Sequence, residues 1–271
     1  MAIGNHSFGV GDALREHVET YGSKVVRLPH RVVHMATGSE IAARMLRSEA
    51  VMRPLAVHRV VAEAMTIKET SFFRDHTPFE MLAERLLPEM IRKRKHERTL
   101  RLWSAGCATG QETYSLAMMI RDRFPELADW DVKIIGTDIS ATACMYARRG
   151  RFSRLEINRG LPVRMLLRYF ERCGDEWTVR DELKQMVRFE HGDLRSSTVT
   201  SVESFDMVLL RNVLPYFTAQ ERATVLAETY ARLQPDAVLM LGISEQLEDA
   251  PELFEADFDR EQPFYRVVTV E

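Results

Sequence analysis

Cysteine is scarce in this chain, with three residues in 271, at positions 107, 144 and 173. So small, odd and widely spaced a set makes neither a disulfide framework nor a metal-ligand pattern, and it favours a reducing cytoplasm. No metal site is expected. No apolar run approaches the ~20 residues of a membrane span, so no membrane insertion is expected. The opening MAIGNHSFGVGD lacks a basic region followed by an apolar core, which argues against a signal peptide. Repeats and low-complexity segments are absent. There is no P-loop, and no Ser-His-Asp or Cys-His set suggests itself. Any chemistry must need little acid–base help.

What is present is an ordinary globular composition, 45% hydrophobic and 28% charged, long enough for one large domain or two smaller ones. The net charge of −3 hides an asymmetry. Residues 1–98 hold 16 Lys/Arg against 12 Asp/Glu, and the rest hold 21 against 28. A basic first part beside an acidic second part suggests two modules with different partners, although uneven surface scatter gives the same count.

Residues 9–65 read as helical, with apolar stripes such as Val10, Leu14 and Val18, then Ile41, Met45 and Leu46, then Leu55, Val60 and Val61. Arg44, Arg47, Arg53 and Arg59 fall between the stripes, as a solvated face or a surface for an acidic partner. Thr66 or Thr70 could cap a following helix with Phe72, Phe73, Phe79, Leu82, Leu86 and Leu87 on its apolar face. Arg74, directly after two phenylalanines, either snorkels to the surface or is a buried cation with a purpose. The basic run Arg92–Arg98 reads as the solvated C-terminal end of that helix. Without interleaved aromatics it does not suggest nucleic acid.

From residue 99 strands and helices alternate, which predicts an α/β fold on a largely parallel sheet. The expected strands are Thr99–Ser104, Val132–Thr137, Val187–His191, Phe205–Leu210, Ala237–Leu241 and one near Phe264–Val270. Helices are expected at about 111–123, 140–149 and 218–233. The stretch from 150 to 187 is too long for one connection. It reads as an inserted subdomain with a short antiparallel element around Trp177–Val179.

The chemistry gathers at strand ends. Leu100, Leu102 and Trp103 lead into Ser-Ala-Gly106-Cys-Ala-Thr-Gly110, a turn of small residues that opens a helix. Such a turn lets a nucleotide-like cofactor touch backbone, or it is simply tight packing. Asp138 ends the second strand, where an acid can accept two ribose hydroxyls or can cap the next helix. An adenosine-type ligand fits, and so far an NAD enzyme fits equally. Arg211 and Asn212 stand just past the fourth strand, with Tyr216 beyond them, on the sheet edge where ligands bind.

Seven blocks then make a resemblance. They are Thr66–Asp75 (TIKETSFFRD), 103–118 (WSAGCATGQETYSLAM), 136–140 (GTDIS), RGLP with RYF at 159–162 and 168–170, 187–194 (VRFEHGDL), 209–217 (LLRNVLPYF) and 239–245 (LMLGISE). In this order, over nearly the full length, the chain resembles the chemotaxis receptor methyltransferases, the CheR family. The resemblance implies a class I S-adenosylmethionine methyltransferase sheet of Rossmann-like type, with an all-helical N-terminal domain and a small inserted β-subdomain. The expected division is residues 1–75 for the helical domain, 76–98 for a linker helix and 99–271 for the methyltransferase domain, with the insert at about 151–187.

The same resemblance implies that Thr70 and Arg74 reach the cofactor, that Glu112 holds its methionine amino group and that Asp138 holds its ribose. Gly106 belongs to the cofactor turn, and Asp193, Leu194, Arg211 and Asn212 surround the adenine and the methyl end. Arg74 and Tyr216 lie nearest the substrate. The implied reaction moves a methyl group to a glutamate of a chemoreceptor's cytoplasmic helices and leaves S-adenosylhomocysteine. Lys68, Gln111, Thr113, Asp193, Pro215 and the Pro235-Asp-Ala turn depart from the family pattern, and Asp193 could pair with Lys68. These departures keep two alternatives open, a different acceptor or a cofactor-binding module with little turnover. The short segment from Phe170 to Val179 implies no dependence on a receptor's C-terminal peptide tether.

Overall fold

The computed structural model describes residues 69–196, 200, 204–247, 250–259 and 262–268. The chain divides into two units at Ile67/Lys68, and every described residue belongs to the second. The helices expected within 9–65, the arginines between their stripes, Thr66 and Lys68 lie outside the described residues.

Seven strands form the main sheet: β1 (Thr99–Ala105), β2 (Asp131–Asp138), β6 (Val187–His191), β7 (Phe205–Leu210), β8 (Leu233–Leu241), β9 (Phe254–Asp259) and β10 (Gln262–Val267). Their order is β6-β2-β1-β7-β8-β10-β9. The first five strands are parallel, whereas β10 runs antiparallel to β8 and β9 antiparallel to β10. The chain winds outward from β1 to β6 and then returns to the other side of β1 with β7. The order therefore reverses between β1 and β7, and ligands bind at such a reversal. The fold is that of the class I methyltransferases.

The expected strands are all present, and β6 and β7 run over the expected residues. β9 has no counterpart in the sequence reading, because FEADFD carries three acids and none of the β-branched residues that mark a strand. Its charges suit an edge that must not pair with other chains. The core is built on residues such as Trp103, fully buried and stacked on Phe205 at 5.2 Å. The Trp103 Nε1 donates to Thr137 Oγ1 at 2.9 Å, so the indole's one polar atom is satisfied.

The helix before β1 comes in pieces: α1 (Thr77–Met81), a π-turn (Leu82–Leu86) and α2 (Leu87–Lys93). Thr70 does not cap it. The helix begins at Thr77, with His76 at the N-cap and Pro78 in the first turn, and proline there is pre-organised for a helix start. The basic run after α2 is solvated only in part. Arg94 turns inward to Asp206, at 2.6 Å, and to Asp236, which ties α2 to the feet of β7 and β8.

Helices α3 (Gln111–Arg123) and α4 (Ala141–Arg149) follow β1 and β2. The insert contains a three-stranded antiparallel sheet in the order β3-β5-β4, formed by β3 (Arg151–Ser153), β4 (Phe170–Cys173) and β5 (Glu176–Val179). The short helices α5 (Arg154–Ile157) and α6 (Val163–Tyr169) lie between β3 and β4, and α7 (Asp181–Lys184) lies between β5 and β6. The last helix, α8 (Ala219–Tyr230), opens on a capping box of Thr218 and Glu221. Among the described residues no helix is long and apolar enough to cross a membrane.

Candidate active site

The ends of β6, β2, β1 and β7 deliver the expected residues to one edge of the sheet. The turn after β1 folds against its neighbours through Gly106, at φ +75°. A Cβ there would meet Val213 Cγ2 at 2.5 Å, so only glycine lets this turn close on the loop after β7. Gly106 and Cys107 donate N–H bonds to Thr137 O at 2.8 and 2.9 Å, and this fastens the turn to the end of β2.

Asp138 holds both sides of that junction. Its Oδ2 accepts from Ala108 N and its Oδ1 from Ser140 N, each at 2.8 Å, and the residue is 5% exposed. The helix cap is a separate residue, Ser140, whose hydroxyl accepts from Ala143 N. Asp138 clasps the glycine-containing turn and the start of the α4 turn together.

A partly buried ion network lies between α3, β7 and the segment before α1. Arg211 has a side chain only 1% exposed, and it donates to Glu112 Oε2 at 2.9 Å and Asp75 Oδ2 at 2.8 Å. It also reaches Arg74 O at 3.1 Å, while Ser104 Oγ donates to Glu112 Oε1 at 2.8 Å. One planar fork thus spans two carboxylates and a carbonyl, which a lysine ammonium on a flexible stem would match poorly. The Arg211 Nε has no hydrogen-bond partner among the described residues.

The segment that carries Arg74 is anchored on both sides. Phe72 and Phe73 are buried, as expected of core anchors. Phe72 lies edge-on to Phe152 and Phe170 of the inserted subdomain at 5.1 and 5.7 Å. Its N–H donates to Arg159 O at 3.2 Å, and Phe73 N–H donates to Ser115 Oγ at 3.0 Å. Phe73, Asp75 and His76 all have positive φ, at 48°, 68° and 46°. Left-handed backbone costs roughly 1–2 kcal/mol for a non-glycine residue, and such strain persists where the surroundings over-determine it. Arg74 itself is half-buried and donates to Glu69 O at 3.2 Å. Thr70 is half-buried as well.

Direct contacts join Arg211 to Glu112 and to the Arg74 carbonyl, while Gly106 and Asp138 sit in the turns at the ends of β1 and β2 and Asn212 follows Arg211 after β7. Asp193 and Leu194 reach the same edge beyond β6, where Gly192 N–H donates to Asp138 O at 3.0 Å. The partner expected for Asp193, Lys68, lies outside the described residues. Asp193 pairs with Arg195 at 2.7 Å, and Arg195 also holds Glu221 at 2.7 Å. Burial resists the Asp193 charge, but Arg195 holds its carboxyl below the usual carboxylate range. Leu194 is buried, and Tyr216 stands 45% exposed after the turn that follows β7.

Sequence reasoning assigned no role to Glu245. It is 6% exposed and accepts four backbone N–H bonds, from Asn212 and Gly242 at 2.6 Å each, Val213 at 3.1 Å and Leu214 at 3.2 Å. Burial pushes its carboxyl above the ordinary value, against the pull of those four donors. The only signal in the sequence was an acid just past an apolar strand, within the last of the seven blocks.

No group of three or more His, Cys, Asp or Glu is arranged to hold a metal among the described residues. The chain's one pair of histidines four positions apart, His30 and His34, lies outside them.

Comparison with known proteins adds identity to this geometry. Residues 68–261 match the family model described as CheR methyltransferase, SAM binding domain. Chemotaxis protein methyltransferase 1 of Pseudomonas aeruginosa is 39% identical over 73% of this chain and 73% of its own length. Chemotaxis protein methyltransferase Cher2 of Pseudomonas putida is 39% identical over 72% of each. Chemotaxis protein methyltransferase 1 of Vibrio cholerae is 39% identical over 73% of this chain and 72% of its own length. The sheet order, the clasped turn after β1 and these matches make one conclusion: the chain belongs to the CheR methyltransferase family and uses S-adenosylmethionine.

Proposed function

We propose that the protein transfers the methyl group of S-adenosylmethionine to glutamate side chains in the cytoplasmic helices of chemoreceptors, forming γ-glutamyl methyl esters. The observation that carries this reading is the Asp75–Arg211–Glu112 network. It locks the segment bearing Arg74 against the edge that holds the cofactor turn.

The residues present fit the cofactor. Gly106 leaves its turn free of a side chain, Asp138 offers a carboxylate for ribose hydroxyls, and Glu112 offers one for an ammonium group. Thr70, Asp193, Leu194 and Asn212 complete the enclosure. When bound, the cofactor supplies a sulfonium methyl that leaves a neutral thioether behind.

The chain's own residues then have to orient the acceptor. A glutamate of pKa ~4.3 is already ionised at neutral pH, so no general base is required. Its oxygen would take the methyl as the sulfonium bond breaks, with the electron pair left on sulfur. Positioning alone can supply ~7–11 kcal/mol of such a barrier. Arg74 suits the task because a guanidinium can meet a carboxylate with two parallel hydrogen bonds. Too firm a grip would stabilise the ground state as well, so Arg74 orients the nucleophile more than it neutralises it. Tyr216, 45% exposed in the turn after β7, would meet the acceptor as well.

Further readings complete the proposal. The enzyme works in the cytoplasm, its helical N-terminal domain faces the receptor, and no nucleic acid is involved. The tight turn at Gly174-Asp175 between β4 and β5 supports recognition without a receptor C-terminal tether. The test is transfer from labelled cofactor to receptor-containing membranes. Base-labile label on a receptor is the expected result, and label that survives mild base would refute the glutamate assignment.

A further inference from the structure

Two loops at the sheet edge, after β7 and after β8, carry different surfaces and share one fastener. The first loop contains Asn212, in left-handed backbone at φ +59°, and a 3-10 turn, Leu214–Tyr216. The second is Gly242-Ile-Ser-Glu245. The Glu245 carboxylate bridges them, with Oε2 taking Asn212 N and Gly242 N and Oε1 taking Val213 N and Leu214 N. Gly242 is fitted to this bridge, since a Cβ there would lie 2.5 Å from Glu245 Oε2 and 2.7 Å from Asn212 Nδ2. The loops expose two large apolar side chains, Tyr216 at 45% and Ile243 at 53%.

A carboxylate that satisfies four buried N–H groups is by default a structural device. Three observations point further. The loop it holds begins with a strained residue of the cofactor edge, and strain is kept where a site needs it. The same carboxylate joins two loops, so it fixes their mutual position as well as the shape of each. Finally, both loops carry an exposed apolar side chain, Tyr216 and Ile243, beyond the C-terminal ends of β7 and β8, the sheet edge where ligands bind.

We propose that Glu245 is a positioning residue for methyl transfer, welding the loops after β7 and β8 into one platform on which the acceptor polypeptide rests through Tyr216 and Ile243. The inference builds on the glutamate-methylation reading and adds to Arg74 and Tyr216 a third acceptor contact, Ile243. Glu245 touches neither reactant. It acts through the placement of Asn212, Tyr216 and Ile243. An amide at 245 would turn a donor toward at least one of the four N–H groups, and the two loops would part. A displacement of about 1 Å at such a site costs on the order of 100-fold in rate.

The experiment compares wild type, Glu245→Gln and Ile243→Ala in single-turnover methylation of receptor membranes. Rates are taken per site counted by S-adenosylhomocysteine titration, at a temperature where each variant is folded by circular dichroism. Glu245→Gln is expected to lose about 100-fold in rate at saturating cofactor and acceptor. Ile243→Ala is expected to keep that rate and to need about tenfold more acceptor, the worth of a partly lost apolar contact. If Glu245→Gln retains no cofactor sites, Gly242→Ala displaces the same carboxylate without removing it and carries the same expectation. A wild-type rate per site in the glutamine variant would make Glu245 a fold element only. An unchanged acceptor requirement in Ile243→Ala would remove the platform contact. Base-stable label in the wild type would instead overturn the glutamate reading, and the Glu245→Gln to wild-type ratio on that acceptor would still decide the role of Glu245.

Discussion

Arg211→Met tests whether the Asp75–Arg211–Glu112 network carries structural weight. Methionine fills most of the volume and removes the charge together with all three hydrogen bonds. Taking one partner from a buried ion network costs about 3–5 kcal/mol, because the remaining charges are left unpaired. Here the penalty belongs at the lower end. The Asp75 side chain is 27% exposed and can rehydrate, and Glu112 keeps Ser104 Oγ. Removing Arg211 Nε, which has no partner among the described residues, offsets part of the loss. About 3 kcal/mol remains, or roughly 6–12 °C in Tm for a domain of this size. Urea unfolding should show a lower midpoint with an unchanged slope. The difference from wild type should also survive added salt, since buried pairs are screened little. A difference below about 1 kcal/mol that vanishes in salt would mark the network as an ordinary surface pair, and would refute the claim that it locks the Arg74 segment.

Asp138→Ala should weaken S-adenosylhomocysteine binding by roughly 1.5–3 kcal/mol, and equal calorimetric affinities would end its assignment to the ribose. Gly160 sits at φ +87°, where an added Cβ would lie 2.1 Å from Phe72 O. Gly160→Ala must therefore shift backbone rather than a flexible side chain, and its stability should fall by more than 1 kcal/mol, with slower methylation because Phe72 anchors the Arg74 segment. An alanine variant with wild-type melting and rate would show that the anchor is dispensable. Arg74→Ala should melt like wild type yet transfer methyl slower by orders of magnitude at saturating cofactor, and Arg74→Lys should not restore the rate. A folded Arg74→Ala protein with the wild-type rate would remove Arg74 from the site.

Much of this was legible in the sequence because the local signals agreed. The alternating VRFEH of β6 and the apolar run of β7 each read plainly as a strand, and the seven blocks chose the cofactor reading for the small-residue turn after β1. What stayed hidden was contact between distant segments. Nothing local in Arg211 says that its fork will span Asp75 and Glu112, 136 and 99 residues away. Glu245 reads as a surface acid until four N–H groups from two loops converge on it. Asp193 pairs with Arg195, two residues on, a contact that closes only a short loop. Thr70 looked like a helix cap because the phenylalanine pair resembles the first turn of an apolar stripe. The left-handed backbone at Phe73, Asp75 and His76 postpones the helix to Thr77.

Catalysis by placement of an already ionised carboxylate, with no general base, is the centre of this account. The measurement that tests it most directly is the pH dependence of single-turnover methylation at saturating cofactor and acceptor. The rate is expected to stay flat from about pH 6 to 9, and to fall at lower pH as the acceptor glutamate takes up a proton. Protonation of Glu245, whose carboxyl is raised by burial, acts in the same direction, because the protonated oxygen no longer serves its two N–H groups. A rising limb with an apparent pKa near 6.5–7 would contradict the account. It would point to a histidine acting as base, with His76 beside Asp75 and His191 at the end of β6 as the residues to replace first.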